Sequence, residues 1–445
     1  MTGSRFRNYT ELATTPNRIL ALNIAAAGLA ALNPEILLRK FVARIKNGFL
    51  EIAGHSFSTT SGRIFVIGGG KASDVMAAAV ENILGPESIT AGIVTCKTQS
   101  AWPDKIQVRE AGHPIPDQRG SNAMNEIMAM KDKHEIDKND LVICLLSGGA
   151  SALMPLPAPG ITLEDKQALT RMLLASGADI ATVNIVRKHL SASKGGKLGR
   201  HFAPATVISL IVSDVIGNDV AAIGSGPTAP EKTRPRDAME IIRRHGLWDE
   251  VPAGARDLLE VRGDQPPLDD LPNCSNHIIG DSNTALDAML QKAEEMGTVA
   301  HVISTSITGV PEAAARKIAT DILDGKYRDY DVLLAAGETT PVLPRNHGRG
   351  GRNQHFAAGT LSALRDLPGN WTHLSLGSDG SDYLPDVAGA LVDGSLTEKI
   401  AGRELNLSDF LDRFDTNSLF TNLGGCLVET GPTGTNVSDL MIYVL

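Results

Sequence analysis

Short apolar runs without polar alternation recur along the first half of the chain, and amphipathic stretches separate them. The run at 141–146, Leu-Val-Ile-Cys-Leu-Leu, is typical of a parallel strand covered on both faces. Similar runs predict strands at 63–67, 90–95 and 205–212. Helical periodicity predicts helices at about 16–48, 73–84, 118–133, 163–176 and 178–190. Because strands alternate with helices, we expect right-handed βαβ units and a mainly parallel sheet.

The same alternation starts again in the second half, after stretches rich in Pro, Gly and Asp at 225–235 and 263–273. There we predict strands at 277–279, 299–303, 332–335, 373–376 and 439–445 and helices at 282–296, 310–323 and 353–364. A chain of 445 residues is too long for one compact core. We therefore predict an α/β fold with a Rossmann-like N-terminal domain at 1–235, connecting helices and a loop at 236–273, and a smaller α/β C-terminal domain at 274–445.

Composition narrows the classes of function. Hydrophobic residues make up 42% of the chain, aromatic residues 4%, and the formal net charge is −9. We expect no nucleic-acid partner, because few aromatic side chains can stack on bases and no basic stretch can neutralise a row of phosphates. The four cysteines form no C-x-x-C pair, which argues against structural zinc and fits a reducing cytoplasm. The start of the sequence lacks a secretory pattern and the apolar stretch 19–32 is too short to span a bilayer, so we expect a cytoplasmic protein without a membrane partner.

Two glycine-rich loops follow predicted strands. One is Ser147-Gly148-Gly149-Ala150-Ser151, and the other is Gly68-Gly69-Gly70-Lys71. Such loops leave backbone N–H groups free and let an anion approach them closely. The alternative for each loop is a tight turn without a ligand. The candidate residues for anion binding here are Gly69, Gly70, Lys71, Ser147, Gly148, Gly149 and Ser151.

Neither loop is a known nucleotide motif. A Walker loop needs Ser or Thr after Gly-Lys, but Ala72 follows Lys71, and Phe65 stands where the first glycine belongs. A dinucleotide fingerprint needs a third glycine, where this chain has Ser73, and a carboxylate after the next strand, where it has Lys97. The loop with Lys71 therefore suits a compact anion beside an ammonium group rather than NAD.

Basic side chains accompany two further segments. Arg187 and Lys194 lie in 184–196, although Arg187 could also serve only as a favourable charge at a helix C-terminus. Arg352 follows a Gly-Arg-Gly-Gly loop at the start of a predicted helix, where guanidinium and backbone donors together favour an anion. Carboxylates at strand ends, Asp214, Asp379 and Asp382, are candidate Mg²⁺ ligands, and Asp214 is equally a candidate proton acceptor. Phosphoryl transfer fits this inventory best.

A series of motifs resembles the class II glycerate 2-kinases, the family with a C-terminal MOFRL domain. The motifs are VIGGGKAS at 66–73, AGHPIPDQRG at 111–120, LSGGASALMP at 146–155, NIVRKHLSASKGG at 184–196, SDVIGNDVAAIGSG at 213–226, GETT at 337–340, GRGGRNQ at 348–354, GSDGSD at 377–382 and TGPTGTNV at 430–437. They run in the family's order over nearly the whole chain. The chain departs from the family's pattern at Ala336, Pro341 and His355, and these departures bear on the identity of the acid more than on the type of reaction.

The resemblance implies an ATP- and Mg²⁺-dependent kinase that phosphorylates the C2 hydroxyl of D-glycerate in a cleft between two α/β domains. Lys71 and Arg352 match the family's leading binding residues, and Glu338 and Asn353 lie in matching motifs. We expect Lys71 to hold the glycerate carboxylate, Arg352 to hold the same anion or the γ-phosphate, and the loop at 147–151 to donate backbone hydrogen bonds. Catalysis is assigned to Lys71, Arg352 and Asp214.

Other interpretations stay open. A closely related sugar acid could replace glycerate, the nucleotide could lie on either domain, and a homodimer is possible. An NAD(P)H-dependent hydroxypyruvate reductase is the alternative enzyme, although the missing dinucleotide fingerprint argues against it. A sugar-acid sensor without turnover is the alternative outside enzymes.

Overall fold

The computed structural model describes residues 5–43 and 45–445. The helices are α1 (Tyr9–Leu12), α2 (Pro16–Ala31), α3 (Pro34–Leu38), α4 (Ser73–Leu84), α5 (Gln118–Lys133), α6 (Ala150–Leu153), α7 (Leu163–Ala175), α8 (Ile180–His189), α9 (Lys197–Phe202), α10 (Pro235–Arg244), α11 (Ala253–Arg262), α12 (Ser282–Glu295), α13 (Pro311–Leu323), α14 (Arg352–Ala363), α15 (Ser395–Gly402), α16 (Leu407–Asp412) and α17 (Thr416–Leu423). The strands are β1 (Phe49–Ile52), β2 (His55–Ser58), β3 (Ile64–Gly69), β4 (Ile89–Cys96), β5 (Ile106–Glu110), β6 (Leu141–Leu146), β7 (Thr206–Val212), β8 (Cys274–Gly280), β9 (Ala300–Ile307), β10 (Val332–Gly337), β11 (Thr372–Gly377), β12 (Gly389–Asp393), β13 (Leu427–Val428) and β14 (Asp439–Val444).

Residues 34–279 form one compact unit around a six-stranded sheet of order β5-β4-β3-β6-β7-β8. The pairs β4–β5, β3–β4, β3–β6 and β6–β7 are all parallel. Every residue of β3 and β6 is buried, as expected for strands with helices on both faces. The predicted parallel α/β sheet is thus confirmed, and the carboxyl ends of β3, β6 and β7 lie along one edge.

The other compact unit contains residues 280–445 together with the described part of the first 33 residues. Its sheet has the order β13-β12-β11-β14-β10-β9. Only β9 and β10 are paired in parallel, whereas β14 runs antiparallel to both of its neighbours, β10 and β11. The second α/β domain is confirmed, and its sheet is mixed.

The division into units differs from the predicted boundaries at both ends of the first domain. Helix α2 packs against α12, β11 and β14, so the start of the chain belongs with the C-terminal unit. Helices α10 and α11 pack against α7 and α8 through an apolar cluster that includes Leu169, Val186 and Ile242, so 236–273 belongs with the first unit. An apolar helix face predicts burial but does not say which partner buries it.

The region predicted as helices up to residue 48 ends earlier. Pro34 begins the short helix α3, and β1 and β2 then form an antiparallel hairpin. In the described part of the chain, no helix has the combination of length and apolar character that crossing a bilayer requires.

A buried ion pair joins α2 to the C-terminal sheet. The Arg18 guanidinium pairs with the Asp393 carboxylate, and both side chains are less than a tenth exposed. Arg18 also donates to the Gly425 carbonyl at 2.7 Å. Although burial acts to raise the pKa of Asp393, hydrogen bonds from Ser395 and the charge of Arg18 hold that pKa below its ordinary value. A lowered pKa means that Asp393 stabilises the fold at neutral pH, and this contribution disappears as the pH falls from about 4 through the lower folded-state pKa.

We predict that Asp393→Asn lowers the free energy of unfolding by about 3 kcal/mol or more, because it leaves the buried Arg18 charge unpaired. Denaturant unfolding at pH 7 measures this change. The matched control is Asp366→Asn, which removes an exposed ion pair with Arg365 and should change stability by less than about 0.5 kcal/mol. Equal effects of the two substitutions would contradict the prediction.

Candidate active site

The two glycine-rich loops are hydrogen-bonded to each other at the carboxyl ends of β3 and β6. The Lys71 N–H donates to the Gly148 carbonyl at 2.8 Å, and the Ser147 N–H donates to the Gly69 carbonyl at 3.3 Å. The buried Ser147 hydroxyl accepts the Ala72 N–H at 3.0 Å. The predicted loop residues therefore form one structure, in which the Ser147 hydroxyl joins the loops.

This close approach requires glycine. A Cβ atom on Gly70 would lie 2.1 Å from the Ser147 Oγ, and one on Gly68 would lie 2.0 Å from the Leu145 carbonyl oxygen. Both glycines also have positive φ angles, +147° at Gly70 and +151° at Gly68. The Gly-Gly-Gly sequence is thus needed to bring the backbones of adjacent loops into contact.

Gly149 lies beside Lys71 and His113. It has a φ of +84°, and a Cβ atom built on it would be 3.4 Å from the Lys71 Cγ and 2.9 Å from two ring atoms of His113. The structure therefore brings the predicted Lys71 and the loop at 147–151 together. His113 adds a ring that the sequence analysis did not assign, although it lies in the AGHPIPDQRG motif.

Ser151 connects this loop to the basic segment. The Arg187 guanidinium donates to the Ser151 Oγ at 2.8 Å, and the Lys194 Nζ donates to the same oxygen at 3.0 Å and to the Ser151 carbonyl at 2.8 Å. The Ser225 Oγ lies 2.8 Å from the Ser151 Oγ. Because the Ser151 oxygen already accepts two hydrogen bonds from cations, its own O–H is left to donate to Ser225.

Three of the predicted residues, Ser151, Arg187 and Lys194, thus meet at one point, and Ser225 joins them. Ser225 is buried and has a φ of +64° between two glycines that also have positive φ angles, a strained arrangement that often marks a functional site. Burial, together with neighbouring cations, lowers the pKa of Lys194 well below its ordinary value. Asp214 follows β7, the strand beside β6, and so stands at the same edge of the sheet as both loops.

In the C-terminal unit, Arg352 is held between two carboxylates. Its Nε lies 2.7 Å from one oxygen of Asp439 and its NH2 donates to the other at 2.9 Å, while NH1 donates to Glu338. Burial acts to lower the pKa of Arg352, but the charges of Asp439 and Glu338 raise it overall. Burial raises the pKa of Asp439 to about 7 against the opposing charge of Arg352.

Asp439 was missed by the sequence analysis because it belongs to no catalytic motif. It is the first residue of the central strand β14, where it pairs in register with Gly337 and Gly377 on the two neighbouring strands. The signal available in the sequence was a carboxylate at the start of the apolar run 439–444. Since β14 is antiparallel to its neighbours, its first residue lies at the edge where β10 and β11 end.

Asp382 has a different environment from the one a metal ligand needs. Its two carboxylate oxygens accept the backbone N–H groups of Asn353 at 2.9 Å and Gln354 at 2.8 Å, and the Gln354 side chain donates at 3.0 Å. These are the first donors of α14, so Asp382 caps that helix. The same Asp-Gly-Ser-Asp pattern fits a cap and a metal ligand equally well in sequence.

The other predicted residues of this unit are also accounted for. The buried Asn353 side chain donates to Asp439 at 2.9 Å and accepts from Ser375 at 2.6 Å, so it positions other residues. Asp379 accepts the Ser381 N–H at 2.9 Å. Among the described residues, no group of three or more His, Cys, Asp or Glu side chains is arranged to hold a metal ion. His355 is buried and stacks on Phe414 with ring centres 4.1 Å apart, and burial lowers its pKa to about 4.

The fold and these clusters define an α/β protein in which two glycine loops, hydrogen-bonded to each other, lie at strand ends beside lysine and arginine side chains. Residues 20–260 match the family described as a domain of unknown function, DUF4147, and residues 331–439 match the MOFRL family. The chain is 33% identical over 437 residues to a glycerate 2-kinase of Pyrococcus horikoshii, covering 96% of this chain and 97% of the relative.

A solved structure gives the same result. The crystal structure of a glycerate kinase from Thermotoga maritima is similar with a TM-score of 0.84 at 32% identity, covering 96% of this chain and 99% of that one. A protein of Agrobacterium vitis named as a hydroxypyruvate reductase is 36% identical over 420 residues, or 92% of this chain and 94% of the relative. The chain belongs to the class II glycerate 2-kinase family, which confirms the resemblance seen in its motifs.

We predict that Gly149→Ala destabilises the protein by more than backbone strain alone. A side chain in the left-handed region costs about 1–2 kcal/mol, and the new methyl group would also press on the His113 ring. Gly160→Ala is the matched control, because Gly160 has a φ of +94° and no atom within 4 Å of the new Cβ position. Thermal unfolding of both variants measures the difference, and equal losses would show that Gly149 is not crowded.

We also predict that Asp382→Asn lowers the free energy of unfolding by about 1–3 kcal/mol in metal-free buffer with chelator. The substitution replaces one carboxylate oxygen by an N–H₂ group, so an N–H donor at the start of α14 loses its acceptor. The loss should be the same when Mg²⁺ is added. Asp386→Asn, at an exposed position in the same loop, is the control and should have little effect. A loss of stability that appears only with Mg²⁺ present would instead identify Asp382 as a metal ligand.

Proposed function

We propose that the protein transfers the γ-phosphoryl group of ATP to the C2 hydroxyl of D-glycerate, or of a closely related small sugar acid. The family and the name of the Pyrococcus relative support this reaction. The observation that carries it furthest is the cluster at one sheet edge of residues 34–279, where Lys71 lies beside Gly149 and Ser151 receives hydrogen bonds from Arg187 and Lys194. Phosphoryl transfer depends on such positioned positive charge.

In this proposal Lys71 binds the carboxylate of the acid, and backbone N–H groups of the loop at 147–151 hold the acid or the phosphate. Arg187 binds phosphoryl oxygens, and Lys194, whose Nζ donates to Ser151 and to the Gly224 carbonyl, contributes its charge beside it. Arg352 contributes through its remaining N–H groups, because Glu338 and Asp439 accept hydrogen bonds from two of its five donors. Glu338, half exposed, is suited to accept a hydroxyl of the acid.

The chemical step forms a bond between the C2 oxygen of glycerate and the γ-phosphorus, and it breaks the bond to the bridging oxygen, which leaves with its electron pair on ADP. The hydroxyl proton needs an acceptor as the new bond forms. Asp214 is the proposed acceptor, because its carboxylate stands at the edge of the sheet where both loops end. Its alternative role is that of an oxygen ligand for Mg²⁺.

Mg²⁺ is compatible with this set of residues. Kinases usually hold Mg²⁺ through one or two carboxylates and the substrate phosphates, so a cage of several protein ligands is not required. Asp214 and Asp379 are the candidate ligands, since Asp382 is committed to α14. Bound Mg²⁺ would neutralise charge on the phosphate oxygens.

The cytoplasm is the proposed compartment. Cys96, Cys144, Cys274 and Cys426 are all free thiols in the structure, as suits a reducing environment. The alternative reductase is supported by the names of two Agrobacterium relatives. Oxidation of NADH or NADPH by hydroxypyruvate, without ADP release from ATP and glycerate, would decide in its favour.

We predict that Lys71→Ala lowers kcat/KM for glycerate by about 10²–10³-fold or more, the usual cost of removing one positioned electrostatic contact in an active site. ADP release from ATP with a panel of three- to five-carbon sugar acids measures this effect and identifies the preferred acid. The control is Lys105→Ala, an exposed lysine just before β5 at the opposite edge of the same sheet, which should keep wild-type activity. Wild-type turnover by Lys71→Ala would refute the assignment.

A further inference from the structure

Lys166 is a buried lysine that the proposed mechanism does not use. It lies on α7 and is 7% exposed, and among the described residues its Nζ makes one hydrogen bond, a long one of 3.4 Å to the Leu156 carbonyl. That carbonyl already accepts the Ser191 hydroxyl at 2.9 Å and the Ala192 N–H at 3.0 Å, so both of its lone pairs are used. Most of the donor capacity of the Lys166 ammonium is therefore unused by the described residues.

The surroundings of Lys166 are positively charged. The charges that act on it come from Arg187 and Lys197, and Lys166 in turn is among the cations that act on Lys194. Burial, reinforced by these charges, lowers the pKa of Lys166 to about 7. Within the described chain, no carboxylate forms an ion pair with Lys166, Arg187 or Lys194.

A neighbouring lysine shows how this fold compensates a buried positive charge with a carboxylate of its own. Lys188, on the same helix as Arg187, is also buried, but its Nζ pairs with Glu231 at 2.9 Å. Buried charges are costly unless they are paired. The absence of such a carboxylate around the other three cations, in the part of the chain that the structure describes, indicates that their counter-charge comes from a ligand.

We propose that Lys166, Arg187 and Lys194, the last two positioned by their hydrogen bonds to the Ser151 hydroxyl, form one oxyanion subsite that takes the doubly charged phosphoryl group of a ligand. The proposal extends the proposed function, on which it rests, by adding Lys166 and by naming the group bound. Arg187 and Ser151 are only partly buried and give access, whereas Lys166 and Lys194 form the inner wall. Three cations match a doubly charged phosphoryl group better than a carboxylate, which remains with Lys71.

The test is Lys166→Met, which keeps the length of the side chain and removes the charge. Titration calorimetry with inorganic phosphate should give a Kd that rises about 10- to 100-fold, as expected for the loss of a charged hydrogen bond. The variant should be at least as stable to heat as the wild type without ligand, because a poorly compensated buried charge is removed, and phosphate should stabilise it less. Lys166→Arg, which keeps the charge, should retain phosphate binding.

The control is Lys131→Met. Lys131 donates to two carbonyls, those of His201 and Ala203, so its loss should reduce stability and leave the phosphate Kd unchanged. Titrations with ADP and with 2-phosphoglycerate distinguish the source of the group: weakened ADP binding assigns the subsite to the nucleotide, and weakened 2-phosphoglycerate binding assigns it to the phosphorylated acid.

Unchanged Kd values for all three ligands in Lys166→Met would overturn the proposal, as would failure of the wild type to bind any of them. If Lys166→Met does not fold, Lys166→Gln, which also removes the charge, takes its place with the same expected rise in the phosphate Kd, and an unchanged Kd for that variant overturns the proposal. A wild type that binds phosphate through Lys166 but releases no ADP with any sugar acid would refute the proposed function while leaving the subsite intact.

Discussion

The contact between the two glycine loops is the constraint on which the first site depends. Adjacent parallel strands end side by side, but their following loops normally diverge because side chains separate them. Here Gly68 and Gly70 remove that obstacle, and the Ser147 hydroxyl and Gly148 carbonyl bind the opposing backbone. One consequence is that the Lys71 side chain starts from a fixed backbone, which limits the conformational entropy lost when it binds an anion.

The C-terminal unit obtains the same rigidity with carboxylates instead of glycines. Asp382 accepts N–H groups in the first turn of α14, and Asp439 forms an ion pair with the guanidinium of Arg352, the first residue of that helix. Both acids are buried, so their interactions are weakly screened by water. The two units therefore present cations of different character: a lysine on a glycine loop, and an arginine whose orientation is set by a paired carboxylate.

Sequence patterns predicted the central strands of both sheets but not β5, β12 or β13, and they predicted the polar clusters unevenly. Apolar runs such as those of β3 and β6, each followed by a glycine-rich loop, are typical of buried parallel strands. The motifs placed Lys71, Arg187, Lys194 and Arg352 near strand or helix ends. The packing partner of α2 was not predictable, because an apolar helix face predicts burial but not which element buries it. Lys166 sits in an ordinary amphipathic helix, and its meaning emerges only from the positive charges that the fold brings around it. Asp382 is the opposite case: its motif suggested a role in the sequence, but the same short motif is compatible with both helix capping and metal binding.

The position of β14 has a consequence for biosynthesis. Residues 34–279 are continuous in the chain, so the sheet of this unit can form as soon as residue 279 has left the ribosome. The other unit needs α2 from the beginning and β14 from 439–444, which occupies the middle of its sheet between β10 and β11. Until those last residues are translated, β10 and β11 each expose an unpaired edge, and such edges invite aggregation. Nascent chains stalled before residue 439 should therefore be clients for molecular chaperones.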